Sequence, residues 1–504
     1  MADDATPLQE SKRNLTYAYA RDKGVVVSRL DPLTVGLRPG ADPRVLLEAR
    51  RVLGRPFELE QLSPEAFENC LSEAYARTDF DGEEAEAAFH GEDDLASLAD
   101  GIPQTADLLD GDDDAPVIRL INGLIYEAVN RRASDIHIEP SEESLSVRYR
   151  IDGVLQKVLS PSRRLAAPLV SRIKVMARLD IAEKRVPQDG RISLSLAGRS
   201  IDVRVSTLPS RYGERVVLRL LDKANARLNL EELGMAPQTL ARFQEALKAP
   251  NGVVLVTGPT GSGKTTTLYS GLTMLNTGTA NILTVEDPIE YGLDGIGQTQ
   301  VNEKVGMSFA AGLRAILRQD PDIVMVGEIR DMETAEIAVQ ASLTGHLVLS
   351  TVHTNSAVAA ITRLRDMGVE PFLLSSTMRA VMAQRLVRRL CDHCKTPYEP
   401  DEAERRMAGV PLGQSVQFYH PKGCNKCGQL GYQGRLGIYE LMVLDAQTQR
   451  MIHDGADEQE LERVAFANAP TLFQSGCEHV AAGRTSLEEV VRVCRREGDG
   501  NGSI

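Results

Sequence analysis

Residues 258–267 read GPTGSGKTTT and follow directly on the apolar run VVLVT of residues 253–257. A short buried strand feeding a glycine-rich loop of spacing G-x-x-x-x-G-K-T, with a helix after it, is compatible with few folds. Gly258, Pro259, Thr260, Gly261, Ser262 and Gly263 offer small side chains, so consecutive backbone N–H groups can curl around phosphate oxygens. Lys264 is placed to reach the β- and γ-phosphates, and Thr265, followed by Thr266, to ligate Mg²⁺. A helix starting near Lys264 adds the positive end of its dipole. The junction therefore predicts a nucleotide-binding α/β domain.

Three further segments place chemistry at strand ends of the same region. ILTVEDPIEY delivers Glu286 and Asp287, PDIVMVGEIRD ends in Gly327 and Glu328 with Arg330 beside them, and TGHLVLSTVHTN carries His346 and His353. In an open α/β sheet, ligands bind beyond the carboxyl ends of the strands, where Glu286, Glu328 and His353 should fall. ATP hydrolysis asks for a carboxylate acting on water, cations on the phosphates and a group near the γ-phosphate. Gly327 stands where a strand-end Asp that helps hold Mg²⁺ is usual. Mg²⁺ is then left mostly to Thr265, phosphate oxygens and water. The sequence does not decide between Glu286 and Glu328 as general base.

Four of the seven cysteines pair by spacing, Cys391 with Cys394 and Cys424 with Cys427. Two C-x-x-C knuckles suit tetrahedral thiolate coordination of Zn²⁺ in a closed, structural site. His393, inside the first knuckle, reads as an outward side chain. Cys70, Cys477 and Cys494 fall outside the pairs and read as small buried apolar residues.

The formal charge of −14 is unevenly spread: residues 79–114 hold fourteen Asp and Glu and no Lys or Arg, so the rest of the chain is close to neutral. Such a stretch is expected to be a solvated tether that cannot bury enough apolar area to order itself. The near-neutral body and the absence of Trp leave little material for nucleic-acid binding. The start MADDATPLQESK lacks a signal-peptide pattern, and no run is long enough to span a bilayer. The expectation is a cytoplasmic protein attached to a membrane only through partners.

The pattern divides the chain into a small α+β domain over 1–77, the acidic linker over 78–114, and a middle α+β domain over 115–229. An ATPase domain over 230–390, a tetracysteine module over 391–434 and a helical region over 435–504 follow. In the middle domain a helix begins at Ala115, with Val117, Leu120, Ile121, Leu124 and Ile125 at helical spacing. Strict alternation at Leu145–Ile151, Ile192–Leu196 and Ile201–Val205 predicts a half-buried antiparallel sheet, with a helix over 165–179. Strands at 253–256, 282–285, 323–326 and 347–350, alternating with helices, predict a doubly wound parallel sheet.

These boxes and the tetracysteine module, in this order, closely resemble the bacterial type II secretion ATPases, the general secretory pathway protein E family. That family lies within the wider secretion and type IV pilus ATPase superfamily. The resemblance covers about residues 115–495 and includes ASDIHIEP, RVPQDGRI and STLPSRYGER. It implies a multidomain α/β chain with a RecA-like core, an antiparallel, PAS-like middle domain and a zinc-binding tetracysteine module. It further implies Lys264 and Thr265 on phosphate and Mg²⁺, Glu286 and Glu328 acting on the attacking water, and His353 near the γ-phosphate.

The same resemblance implies a homohexamer in which the middle domain closes over a nucleotide. This gives roles to Arg204, Arg219, Arg314, Arg318 and Arg330, with Arg363 and Arg435 as further candidates. From the residues alone, Arg204 reads equally as a solvated strand arginine, and Arg314 and Arg318 as a charged helical stripe. The implied activity is ATP hydrolysis driving pseudopilus growth and protein export. The implied partners are inner-membrane platform proteins: the cytoplasmic part of protein L, through the N-terminal domain, and the polytopic protein F. A pilus-assembly ATPase is the alternative, although its members usually carry more sequence ahead of the shared core.

Overall fold

The computed structural model describes residues 15, 19–20, 23–30, 32–63, 66–67, 70, 92–100, 115–196, 199–222, 229–411 and 414–494. It resolves into two compact units, 1–224 and 225–504.

The first unit opens with a three-stranded sheet, β1 (Val25–Leu30), β2 (Leu33–Leu37) and β3 (Glu58–Gln61), in which β2 pairs antiparallel with β1 and parallel with β3. Residues Val45–Leu53 form a helix, whose Val45, Ala49 and Leu53 pack on Val25, Leu33 and Val35. Its opposite face leaves Leu47 73 % exposed.

The middle sheet is built from β4 (Ala133–Pro140), β5 (Leu145–Ile151), β6 (Val154–Leu159), β7 (Gln188–Leu196), β8 (Arg199–Ser210) and β9 (Gly213–Asp222). These six antiparallel strands lie in the order β6-β5-β4-β9-β8-β7. Asp152 and Gly153, both at positive φ, turn β5 into β6 as a two-residue hairpin loop. The helices Ala115–Asn130 and Ala166–Met176 cover one face. All five residues that helical spacing marked from Val117 to Ile125 are buried there. One expectation is corrected: part of the acidic stretch is ordered. Glu92–Asp100 is a helix, and its Leu95 and Ala99 join the middle-domain core. Leu95 and Ala99 are four apart and share a face. A charge average over the whole stretch hides that stripe. The remainder of 78–114 lies outside the described residues.

The strands of the second unit's main sheet are β10 (Gly252–Thr257), β11 (Ile282–Glu286), β12 (Gly297–Gln300), β13 (Ile323–Val326), β14 (Leu347–Val352), β15 (Met378–Leu390) and β18 (Tyr432–Val443). They form one seven-stranded sheet in the order β12-β11-β13-β14-β10-β15-β18. Six run parallel, and β18 pairs antiparallel with β15 at the edge. Strand β10 is buried on both faces, which is why it reads as a continuous apolar run. Val253 and Leu255 face the helices Phe309–Ile316, Met332–Leu343 and Ala357–Asp366, whereas Val254 and Val256 face Pro237–Leu247 and Lys264–Leu275.

The expected boundaries at 390/391 and 434/435 are corrected by β18. The tetracysteine segment is an insertion between two paired strands of the ATPase sheet, with its own short hairpin of β16 (Thr396–Tyr398) and β17 (Phe418–His420). The helices after β18 are not a separate region either. Their Ile452, Leu461, Leu472, Val480 and Val490 share a core with Val253 and Leu255. Buried Glu440 on β18 locks two helices in place, accepting the N–H of Ala357 at 2.9 Å and of Leu472 at 3.0 Å.

Glu489, in the last described helix, ties that helix to β15. Its buried carboxylate accepts from the Arg388 amide (3.1 Å), the Arg388 guanidinium (2.7 Å) and Arg492 (2.6 Å). Burial alone would raise its pKa, but the bonds from Arg492 and Arg388 outweigh it and hold the carboxyl at about 2. A depressed folded pKa gives stability that is present above the ordinary glutamate value of about 4.3 and lost as pH falls toward the folded value. Glu489→Gln should cost roughly 3–5 kcal/mol at pH 7. Denaturant melts should show that gap closing as the solution is acidified from pH ~4 toward ~2; a gap independent of pH would refute the assignment.

Candidate nucleotide site and tetracysteine centre

The loop after β10 is a cradle only glycine could form at two points. Gly258 and Gly263 have φ of +150° and +89°, and Gly263 precedes the helix Lys264–Leu275. The Lys264 ammonium folds into the loop, donating to Gly258 O at 2.8 Å and Pro259 O at 3.2 Å. Ser262 Oγ is buried without a hydrogen-bond partner among the described residues. A concave run of N–H groups, a lysine and an unpartnered hydroxyl fit a polyphosphate. Thr265 and Thr266 are half-buried on the first turn of the helix.

Three more strands end beside this loop. Glu328 follows β13 and His353 follows β14, and His353 Nε2 lies 3.1 Å from Glu328 Oε2. Arg330 closes on the other Glu328 oxygen and stands 3.9 Å from Asp287. Backbone and hydroxyl bonds fix these turns: Thr351 Oγ1 donates to Gly327 O at 2.8 Å, and Thr257 Oγ1 accepts the Thr354 N–H at 2.9 Å. Burial lowers the Lys264 pKa to about 8, partly offset by the negative charge of Glu328 and reinforced by Arg385.

Glu286 ends β11 but sits in a closed cage, 3 % exposed. One carboxylate oxygen accepts the Tyr269 hydroxyl. The other accepts Thr284 Oγ1 at 2.6 Å and Gln298 Nε2 at 3.0 Å. The sequence reading missed Tyr269 and Gln298. Their only signal is polarity at positions that face inward, on the helix after the loop and on β12. Gly327 also has a packing reason. A Cβ there would meet the Phe309 ring at 3.3 Å and the Glu286 backbone at 3.4 Å, so a side chain at this strand end would be tightly packed.

The arginines divide into two groups. Arg314 pairs with Glu333 at 2.5 Å, and Arg318 donates to Arg314 O at 2.9 Å, as a charged stripe would. Arg363 lies in the last turn of the helix Ala357–Asp366, and Arg435 lies on β18 opposite Arg388. In the first unit, Asp135, Arg219, Arg204 and Arg191 form one cross-strand row over β4, β9, β8 and β7. This is the face opposite buried Val203 and Val205. Asp135 anchors the row through Arg219 Nε at 3.0 Å.

The four cysteines converge. Their sulfurs all lie within 4.8 Å of one another, with Cys391–Cys424 at 3.9 Å, Cys394–Cys427 at 3.8 Å and Cys424–Cys427 at 3.7 Å. A tetrahedral site with Zn–S bonds of about 2.3 Å needs sulfurs about 3.8 Å apart. The N–H groups of Cys424 and Gly431 point at Cys427 Sγ, at 3.3 and 3.2 Å, as they do around metal-bound thiolates. His393 is exposed, beside Lys426, and takes no part in the cluster.

Residues 110–492 match the family Type II/IV secretion system protein. The chain belongs to that family. Residues 14–75 match a second model, an N-terminal domain of GSPII protein E, which marks the type II secretion system protein E branch. The chain is 56 % identical over 495 residues to "Type II secretion system protein E" of Aeromonas hydrophila, covering 98 % of this chain and 99 % of that one. It is 57 % identical over 454 residues to "Type II secretion system ATPase E" of Vibrio cholerae, covering 89 % and 90 %. Among solved structures, the pilus retraction motor PilT with bound ADP aligns at a TM-score of 0.50 and 28 % identity, over 73 % of this chain and 95 % of that one. The Legionella pneumophila ATPase DotB aligns at 0.55 and 21 % identity, over 73 % and 94 %, a likeness of fold. Relatives matching over the full length favour type II secretion over the pilus-assembly alternative. Among the described residues no helix of this family member is long and apolar enough to cross a membrane.

Proposed function

We propose that this chain is the ATP-hydrolysing motor of a type II secretion system, coupling hydrolysis to pseudopilus assembly and export of folded proteins. The observation that carries the reading is the convergence of Lys264, Glu328, His353 and Arg330 at the carboxyl ends of adjacent parallel strands. Lys264 and the loop amides hold the β- and γ-phosphates. Thr265 would hold Mg²⁺, which would supply positive charge to neutralise the phosphates. Glu328 orients and deprotonates the attacking water, while His353 sits on its other side toward the γ-phosphate. Glu286, 3 % exposed and enclosed by Tyr269, Thr284 and Gln298, acts on the water only through the shape of the site, whereas the Glu328 side chain is 14 % exposed. The ADP bound by PilT supports a nucleotide in this fold.

The row of Arg219, Arg204 and Arg191 supports a second source of cations, brought to the nucleotide when the chains assemble as a hexamer. Arg314, Arg318 and Arg330 are the candidates within the ATPase unit. The four cysteines hold one structural Zn²⁺. The N-terminal domain docks on the cytoplasmic part of an inner-membrane platform protein of the L type, with the polytopic F protein as a further contact. That arrangement keeps the motor on the cytoplasmic face. Support comes from the N-terminal domain match and the full-length relatives.

Steady-state phosphate release is the direct test. Glu328→Gln keeps the shape but removes the base, and should slow turnover by roughly 10²-fold. Equal rates for mutant and wild type would sink the motor reading.

A further inference from the structure

Strand β15 reaches the phosphate loop from its far side. It pairs parallel with β10 as far as Thr257 opposite Ala383, so the next residue, Gln384, is level with the first loop glycine. Gln384 is 2 % exposed, and its one amide is used at both ends. Nε2 donates to Ser262 O at 2.8 Å, in the tip of the loop, and Oε1 accepts Thr267 Oγ1 at 2.8 Å, in the helix that follows. Only a side chain with a donor and an acceptor on one flat group makes both bonds. A carboxylate would face the Ser262 carbonyl with no proton, and an apolar residue would leave two buried polar groups unpaired.

The loop glycines are fitted to this strand as closely as to phosphate. A Cβ at Gly258 would stand 2.5 Å from the Gln384 carbonyl oxygen, and one at Gly263 2.8 Å from its Nε2. The adjoining Arg385 performs the parallel task for the histidine turn: its guanidinium donates to Asn355 Oδ1 at 2.9 Å and Asn355 O at 3.1 Å, two residues past His353. The same strand continues through Arg388, held by Glu489, to Leu390 and the first metal-cluster cysteine, Cys391.

We propose that Gln384 is a positioning residue of the nucleotide site, clamping the phosphate loop to the strand that leads into the tetracysteine insertion. It touches no reacting atom and acts by setting where the amides of Ser262 to Thr265 point. This rests on the motor reading above only for its effect on hydrolysis; its effect on nucleotide binding stands by itself.

The test is a fluorescent ATP analogue with Mg²⁺, titrated against the full-length chain and its Gln384→Glu and Gln384→Met variants, alongside phosphate release and thermal melts. A loop displaced by a fraction of an ångström should weaken analogue binding roughly tenfold or more and slow turnover further. Both variants should melt several degrees below wild type, because they leave buried polar groups unpaired, yet stay folded at the assay temperature. Thr267→Val removes the partner hydroxyl without removing Gln384, and should weaken binding in the same direction. Added to Gln384→Met it should change little, because the bond is already gone. Unchanged binding in the Gln384 variants, binding lost only in step with folded fraction, or full additivity of the pair would each overturn the proposal. Should a Gln384 variant fail to fold, Thr267→Val alone decides, and wild-type binding in it counts against the clamp. Wild-type protein that binds the analogue yet releases no phosphate would defeat the motor reading, while the binding titrations still judge the clamp.

Discussion

Lys264→Ala is expected to abolish steady-state hydrolysis, lowering turnover by roughly 10³-fold or more, with the fold intact. Lys264 is 9 % exposed, and its ammonium is held by two loop carbonyls, Gly258 O and Pro259 O. Removing it relieves a buried charge, so circular dichroism and thermal melts should be close to wild type. The transition state instead loses the cation that meets the β- and γ-phosphates. A pH titration separates this role from bulk packing. Burial holds the Lys264 pKa at about 8, and phosphate binds the protonated form. ATP affinity of the wild type should therefore be full below that value and fall as pH rises through it; Lys264→Ala should lack this dependence. Wild-type turnover in the mutant would refute the phosphate role.

Cys391→Ser is expected to abolish the zinc binding proposed for the four cysteines and to unfold the insertion between β15 and β18. Thiolate coordination of a structural zinc contributes on the order of 10 kcal/mol of apparent binding energy at neutral pH. Cysteines apart, Phe418 is the one fully buried apolar side chain that the insertion's described residues give to the ATPase unit's core, so the metal carries most of the remaining hold on the segment. The ATPase sheet should survive, because β15 and β18 pair directly from Ala380 opposite Val443 to Leu390 opposite Tyr432. Limited proteolysis should thus cut between Cys391 and Tyr432 in the mutant or after chelation, and leave the flanking sheet whole. Metal analysis that finds no zinc in the wild type would overturn the centre. A chelated protein with an unchanged protease pattern would show that the metal does not hold the insertion.

Strong periodicity made the middle domain readable: the helix from Ala115 and the alternating strands bury the residues their spacing marks. The phosphate loop was readable because its chemistry is made by consecutive backbone amides. The knuckles were equally plain, since each C-x-x-C pair is local and only the meeting of the two is tertiary. Glu92–Asp100 was missed because its apolar stripe is two or three residues within a strongly acidic composition. Strand β18 was missed for a different reason. It follows the insertion in sequence but completes the sheet in space, and its partner β15 lies beyond the whole tetracysteine segment.

The sequence by itself determined the phosphate-loop pattern at Gly258–Thr265, the two C-x-x-C pairs at Cys391, Cys394, Cys424 and Cys427, and the placement of Glu286, Glu328 and His353 at strand ends. Those features are short-range, set by spacing and by strand and helix periods. Only the tertiary structure decided that Glu286 is caged by Tyr269, Thr284 and Gln298 while Glu328 meets His353 and Arg330. It also decided that Gln384 lies bonded between the loop and the helix after it. These depend on which side chains from distant segments fill the same buried space, and no local pattern encodes that packing.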